Sequence, residues 1–374
     1  MNKIKKLNVI LSGGGTGGHI YPAIAVYQVL KKDSDVENIY YIGCNKNMEK
    51  DVAQKEDIPF YSVNVSGMPR KTSLRFISWF AELISATVKA FYYLLKLKPN
   101  VILGTGGYVS APVLISATIL KIPFIIHDCD AQPGIVNKAL APYAHTVSVA
   151  FEEAGTKLKV KNLMVNGNPL RESFKTTTRE ESLNKLNLSA TKLTISIIGG
   201  SQGARSINNA ALNIMQDLLE TIDCQVIHQV GTKNYDQYVE ELEVKYPNLK
   251  NNSSYRLAPY FDNMQNIFAV SDLIISRAGS LSLSEICLNS IPSILIPYPH
   301  AAADHQRHNA KVMENSGASV YLDDNDCTSE NLLAQIKDLI NNSEKLQSMK
   351  TSAKILAKEN SAENLAAKLK EIAL

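Results

Sequence analysis

Short runs of β-branched and aromatic residues, each followed by a turn and a helical stretch, recur along this chain, and that alternation constrains the fold more than any other feature. The first series comprises Leu7 to Leu11, Asn38 to Ile42, Pro59 to Val63, Val101 to Leu103 and Pro123 to Ile126. The pattern restarts after NLMVNGNPLRESF with Lys192 to Ile198, Gln225 to Val230, Asp272 to Ser276 and Ser293 to Ile296. Strands alternating with helices imply parallel, doubly wound sheets, because a parallel pair needs a crossover long enough to hold a helix. A restart within 374 residues implies two domains, since a single core stops growing near about 250–300 residues. The expected class is α/β, with two Rossmann-like doubly wound parallel-sheet domains facing a cleft. The polar stretch Lys175 to Ala190 separates the two series, which puts the domains at 1–165 and 166–354. The helical tail, about 355–374, is expected to pack back on the first.

Charge excludes one class of partner. The 39 Lys and Arg against 36 Asp and Glu leave a formal charge of +3, too small to suggest nucleic acid. Cys44, Cys129, Cys224, Cys287 and Cys327 show no CxxC pair and no metal-ligand spacing, as expected of reduced thiols. The apolar run in MNKIKKLNVILSGGG is too short for a signal peptide, so no export is expected. In LRFISWFAELISATVKAFYYLLKL the charges Arg75, Glu82, Lys89 and Lys96 recur every seven residues. On a straight helix that spacing drifts only ~20° per step, so the charges form one narrow stripe and the rest of the circumference is apolar. The expectation is a helix packed between the sheet and neighbouring helices for most of its length. A second reading takes Trp79, Phe80, Phe91, Tyr92 and Tyr93, with the basic loop GMPRKTSLR, as a patch resting on an anionic membrane. The four charges argue against a transmembrane span.

The chemistry concentrates in glycine loops. SGGGTGGHIYPA carries Gly13, Gly15 and Gly18 in GxGxxG register after a strand. A dinucleotide site also wants an acid after the second strand, and IYYIG is followed by Cys44 and Asn45. The GK[ST] of a P-loop is absent as well. What remains is an anion site, most simply for phosphate, made of glycine amides and a helix N-terminus near Pro22. His19 follows it at the edge of a parallel sheet where such folds do chemistry, which makes it a candidate general base rather than a loop-backbone partner. IIGGSQGARSINNA and SRAGSLSLSE repeat the strand–glycine–helix arrangement in the second series, the latter with Glu285 in the first turns of its helix. Together the loops suggest a diphosphate substrate, with Glu285 placed for sugar hydroxyls. His305 and His308 in PYPHAAADHQRHNA lack a third ligand, so no metal is expected, and Gln306 and Asn309 are taken as hydrogen-bond donors to a polar ligand.

GGGTGGHIYPA, GTGGYVSAP, GGSQGAR, SRAGSLSLSEI and DHQRHNA, in this order, resemble the family 28 glycosyltransferases that act on lipid-linked muramyl peptide. The resemblance runs from about residue 8 to about residue 320. It implies a GT-B architecture, no cofactor and no required metal. It also implies an inverting transfer of N-acetylglucosamine from UDP-N-acetylglucosamine to the C4 hydroxyl of undecaprenyl-diphosphate-linked N-acetylmuramyl peptide. By the same resemblance His19 is the base and Thr16, Gly17 and Gly18 form the diphosphate loop. Arg171, Ser201, Ser280, Leu281, Ser282, Leu283, Ser284, Glu285 and Gln306 match donor-contacting positions, with Glu285 on the ribose. An anionic inner-membrane surface is the further implied partner, and the cytoplasmic face of the membrane the implied location. One stretch departs from the family: where it reads His-Glu-Gln-Asn, this chain has His127, Asp128, Cys129 and Asp130. A carboxylate accepts but does not donate, so the family's binding role is not carried onto Asp130. Alternatives are a diacylglycerol glycosyltransferase, a nucleotide-sugar epimerase, or a non-catalytic nucleotide-sugar sensor.

Overall fold

The structure, a computed structural model, describes residues 6–46, 48–69, 74–200 and 202–373. Ser201 and residues 70–73 of the basic loop lie outside the described residues. The chain divides into two compact units, 6–172 with 358–373, and 173–357.

Among the described residues the first unit holds a seven-stranded parallel sheet in the order β3-β2-β1-β4-β5-β6-β7. Its strands are β1 (Leu7–Ser12), β2 (Val36–Gly43), β3 (Phe60–Ser62), β4 (Val101–Gly104), β5 (Phe124–Asp128), β6 (Thr146–Val149) and β7 (Leu163–Val165). The second unit holds a six-stranded parallel sheet in the order β10-β9-β8-β11-β12-β13. These are β8 (Leu193–Ile198), β9 (Cys224–Gln229), β10 (Tyr255–Ala258), β11 (Leu273–Ser276), β12 (Ser293–Leu295) and β13 (Ser319–Tyr321). Each sheet reverses its order between two central strands, β1 and β4 or β8 and β11, where doubly wound folds bind ligands at the carboxyl ends. Central strands are apolar almost without break because helices cover both faces; β4 (VILG) and β11 (LIIS) are buried throughout.

The helix Ser361–Ala373 belongs to the first unit. Its Leu365, Ala366 and Leu369 share a core with Ile20 and Ile24 of the helix Gly17–Leu30. Lys370 pairs with Asp33 at 2.6 Å and Asp35 at 2.8 Å. At its start, Asn166 Nδ2 donates to the Ser361 carbonyl at 2.8 Å and Ser361 Oγ to the Asn166 carbonyl at 2.6 Å.

The helix Leu74–Leu97 corrects the packed-helix expectation. Only one face, carrying Ala86, Ala90, Leu94 and Leu97, is buried, mainly against the helix Ala111–Leu120. Glu82, Lys89 and Lys96 of the charged stripe lie beside that face, and the side away from it bears exposed Ile77, Phe80, Ile84, Val88, Tyr92 and Leu95. Among the described residues no helix is long and apolar enough to cross a membrane.

Candidate active site

In the first unit the site is built where the carboxyl ends of β1, β4 and β5 meet. The helix after β1 begins at Gly17, so Pro22 lies inside it, correcting the expected start near Pro22. Thr16 is the N-cap in extended backbone, its carbonyl accepting from the His19 amide at 3.1 Å, and its side chain makes no cap bond. Gly17, Gly18 and His19 therefore form the first turn; the His19 amide is taken up by Thr16, while the Gly17 and Gly18 amides have no partner within the helix and favour an anion.

The loop after β4 holds that turn in place. Thr105 N donates to the Ser12 carbonyl at 2.8 Å, and Thr105 Oγ1 donates to the His19 carbonyl at 2.5 Å. Gly14 N donates to the Gly106 carbonyl at 3.3 Å. Gly107, at φ 75°, passes so close to the Gly14 carbonyl that no side chain fits between them.

Glu49, in the short helix after β2, is fully buried and accepts from the Gly15 amide at 2.7 Å. Glu49 does not stand in for the ribose-binding acid that is missing at Cys44 and Asn45, because it is buried and bonded to the glycine loop. It holds the glycine loop from within and leaves the Gly17 and Gly18 amides as the anion-facing donors.

β5 ends in the divergent stretch. His127 is fully buried: its Nε2 donates to Asn168 Oδ1 at 3.0 Å, so its Nδ1 accepts from Ser148 Oγ at 3.1 Å. Burial pushes its imidazole down to about 4, so the ring is neutral and structural. Asp128 accepts from Asn137 Nδ2 at 2.8 Å, Gly134 N at 3.1 Å and Asp130 N at 3.2 Å. Burial nevertheless raises its carboxyl to about 6, with the Asp130 charge adding to the rise. Cys129, also buried, brings its Sγ to 3.6 Å from His19 Nδ1 and 3.6 Å from Asp130 Oδ2. Arg171 lies in this unit too, its guanidinium 4.6 Å from the ring centre of Tyr21, one turn after Gly17.

The second unit repeats the arrangement. After β8 the loop through Gly199, Gly200, Gln202 and Gly203 leads into the helix Arg205–Thr221, with Gly203 pressed against Gly231 at the end of β9. After β11 the helix Ser280–Leu288 begins directly at Ser280. Leu281, Ser282 and Ser284 are half-buried on it; Glu285 is buried; Leu283 turns its side chain into the core, so its backbone is what it can present. Gln306 Oε1 accepts from the Tyr298 amide at 3.0 Å. Asn309 is fully buried with Nδ2 donating to the Ala278 carbonyl at 3.2 Å, so it ties its helix to the loop after β11. This corrects the expectation that Asn309 offers its donor to a ligand.

Sequence reasoning missed Glu49, Asn168 and the Arg277 network. Arg277 donates to Asp324 Oδ1 at 2.5 Å, to the Ile296 and Pro297 carbonyls at 3.1 Å each, and to Ser206 Oγ at 3.0 Å. The Arg in SRAGS was its one local signal; its partners lie on three other segments.

Family models for glycosyltransferase family 28 match twice, the N-terminal domain over residues 9–149 and the C-terminal domain over residues 194–368. The UDP-N-acetylglucosamine–N-acetylmuramyl-(pentapeptide) pyrophosphoryl-undecaprenol N-acetylglucosamine transferase of Halothermothrix orenii is 38% identical over 355 residues, spanning 94% of this chain and 95% of that one. The Bacillus pumilus protein of the same name is 36% identical over 367 residues, spanning 98% and 99%. A crystal structure of Acinetobacter baumannii MurG has a TM-score of 0.78 at 25% identity, covering 98% of this chain and 99% of that one. A UDP-N-acetylglucosamine 2-epimerase from Neisseria meningitidis has a TM-score of 0.66 at 15% identity, covering 98% and 100%, a likeness of fold alone.

Proposed function

The chain belongs to glycosyltransferase family 28, and from that membership we propose that it moves N-acetylglucosamine from UDP-N-acetylglucosamine to the C4 hydroxyl of undecaprenyl-diphosphate-linked N-acetylmuramyl peptide. The observation that carries the mechanism is His19 in the first helical turn, directly after the Gly17 and Gly18 amides. An imidazole there takes the proton of the attacking hydroxyl while the amides and the helix N-terminus hold a diphosphate. Inversion follows from a single displacement at the anomeric carbon: the C1–O bond to the β-phosphate breaks and UDP departs as a trianion that amide dipoles and Arg171 stabilise.

In this reading residues 6–172 take the acceptor and residues 173–357 the donor. The Gly199–Gly203 loop and the Ser280 helix end meet the nucleotide diphosphate, and Glu285 accepts from the ribose hydroxyls. Thr16 and Gln306 complete the polar contacts. The acceptor is anchored in lipid, and the exposed face Ile77, Phe80, Ile84, Val88, Tyr92 and Leu95 supplies apolar contact beside a charged stripe with Lys89 and Lys96. Such a helix would lie in the interface plane rather than across it, and because the donor is a sugar nucleotide we assign the protein to the membrane's cytoplasmic face.

The test is incubation with radiolabelled UDP-N-acetylglucosamine and vesicles containing the lipid-linked muramyl pentapeptide. A labelled disaccharide lipid is the expected product, lost in His19→Ala. Release of free sugar or a C2 epimer without transfer to the lipid overturns the reading.

A further inference from the structure

We infer that Cys129 and Asp130 act as positioning residues for His19, forming a line from carboxylate through thiol to imidazole that fixes the ring's tautomer with the proton on Nδ1. The inference rests on the proposed role of His19 and goes beyond it to two positions where this chain departs from the family's residues.

The geometry is a sulfur with two neighbours at equal distance, His19 Nδ1 and Asp130 Oδ2, each 3.6 Å away. A thiol has one proton to donate. The carboxylate is the stronger acceptor, since hydrogen bonds to an ionised group are about twice as strong as neutral ones. The S–H therefore points to Asp130, and the sulfur faces His19 as an acceptor. An acceptor at Nδ1 selects the tautomer that carries its proton there, and Nε2 then bears the lone pair a general base needs. When Nε2 takes the acceptor hydroxyl's proton, the thiol keeps its own, and the Asp130 carboxylate lies directly beyond it. Its negative charge favours the imidazolium that forms.

Each member is held from outside the line. Cys129 is 2% exposed, and its carbonyl accepts from Asn168 Nδ2 at 3.4 Å. The Asp130 amide is fixed on Asp128. The His19 ring lies against the loop after β4, where a Cβ added to Gly106 would stand 3.0 Å from Nδ1. The titratable groups facing the line are His127 and Asp128 of β5, whose own protonation responds to Asp130, with Glu49 beyond the glycine loop at Gly15. Neutral Asn137 Nδ2 approaches from the helix Ile135–Leu140.

The direct test is spectroscopic. In protein labelled with 15N at histidine, the two-bond proton–nitrogen correlation spectrum reads each ring's tautomer, and the signal absent in His19→Ala is that of His19. The expected result is Nδ1–H for neutral His19; Nε2–H overturns the inference, whatever the activity. Kinetics supply the second readout. Cys129→Ala is expected to lower kcat/KM about tenfold, the worth of one oriented hydrogen bond, and to shift the tautomer toward Nε2–H. Cys129→Ser restores both. Asp130→Asn moves the acidic limb of the kcat/KM profile to lower pH. Unchanged kcat/KM in Cys129→Ala refutes the positioning role. An acidic limb that survives His19→Ala instead refutes the base assignment, so the two failures are distinct.

Discussion

Gly107→Ala tests whether the loops after β1 and β4 are locked together by backbone contact. Gly107 sits at φ 75° and ψ 163°, a region open in practice to glycine alone, and forcing a side chain into such a conformation costs about 1–3 kcal/mol. The added Cβ would stand 2.1 Å from the Gly14 carbonyl oxygen, which is backbone and cannot rotate away. One loop must move, and the Gly14 N to Gly106 O bond then weakens, for about 1 kcal/mol more. The sum is about 2–4 kcal/mol, or roughly 4–16 °C in Tm for a unit of this size. Trp79 is the sole tryptophan and lies in the first unit, with Nε1 donating to the Ser66 carbonyl at 2.9 Å, so its fluorescence reports that unit's unfolding. Gly134→Ala is the control. Its φ is −66° and nothing lies within 4 Å of an added Cβ, so stability should change by less than about 0.5 kcal/mol. A Gly107→Ala transition coincident with that of Gly134→Ala would refute the reasoning.

Asp128 and His127 give opposite pH dependences. The Asp128 carboxyl is raised to about 6, so its contribution to stability is complete below its ordinary value and lost as pH rises through about 6. Asp128→Asn should therefore gain about 2 kcal/mol on the wild type between pH 4 and pH 7 in urea unfolding followed at Trp79. His127 is lowered to about 4, so its contribution is lost as pH falls below its ordinary value, and His127→Gln should gain about 3 kcal/mol on the wild type in the reverse direction. On the exposed face of the helix Leu74–Leu97, Ile84→Glu with Val88→Glu should leave Tm nearly unchanged, since both residues are more than half exposed. Sedimentation with anionic vesicles should show at least about tenfold weaker binding, the worth of burying two such side chains. Arg277→Ala strands a largely buried Asp324 and two carbonyls, for about 2–4 kcal/mol; hydrogen exchange across residues 173–357 should rise while that of the first unit stays unchanged.

Strands buried on both sides were legible where their composition is one-sided; β6 (TVSV), buried throughout, was missed because every second residue is polar. β1, β4, β5, β8, β11 and β12 each announce themselves as an apolar run. The strands missed were β6, β7, β10 and β13, of which three are sheet edges. β7 alternates exposed and half-buried residues and has too few apolar positions to register as a core strand. The helix Leu74–Leu97 misled for a different reason: an apolar circumference implies something apolar around it, and the chain itself covers only the alanine-rich face. Hydropathy reports that a surface avoids water. It does not say whether protein or lipid replaces the water.

The site was legible at its glycines and not at its partners, and strand order explains why. His19 follows β1 and Cys129 follows β5, with β4 between them in the sheet. Two strand spacings of about 4.8 Å separate their backbones by about 10 Å, too far for most side-chain pairs to touch above an intervening strand. They meet because the chain leaving β4 does so as Gly106-Gly107, both at positive φ and without side chains to fill the gap. The glycines of GTGGY thus do more than turn the chain. They leave open the space in which an imidazole from the first turn of a helix reaches a thiol from the loop after β5. A local pattern shows the glycines, but the contact they permit depends on the β1-β4-β5 order, which no single stretch of sequence contains. Glu49 follows the same rule from the other side: it reaches Gly15 only because β2 lies next to β1.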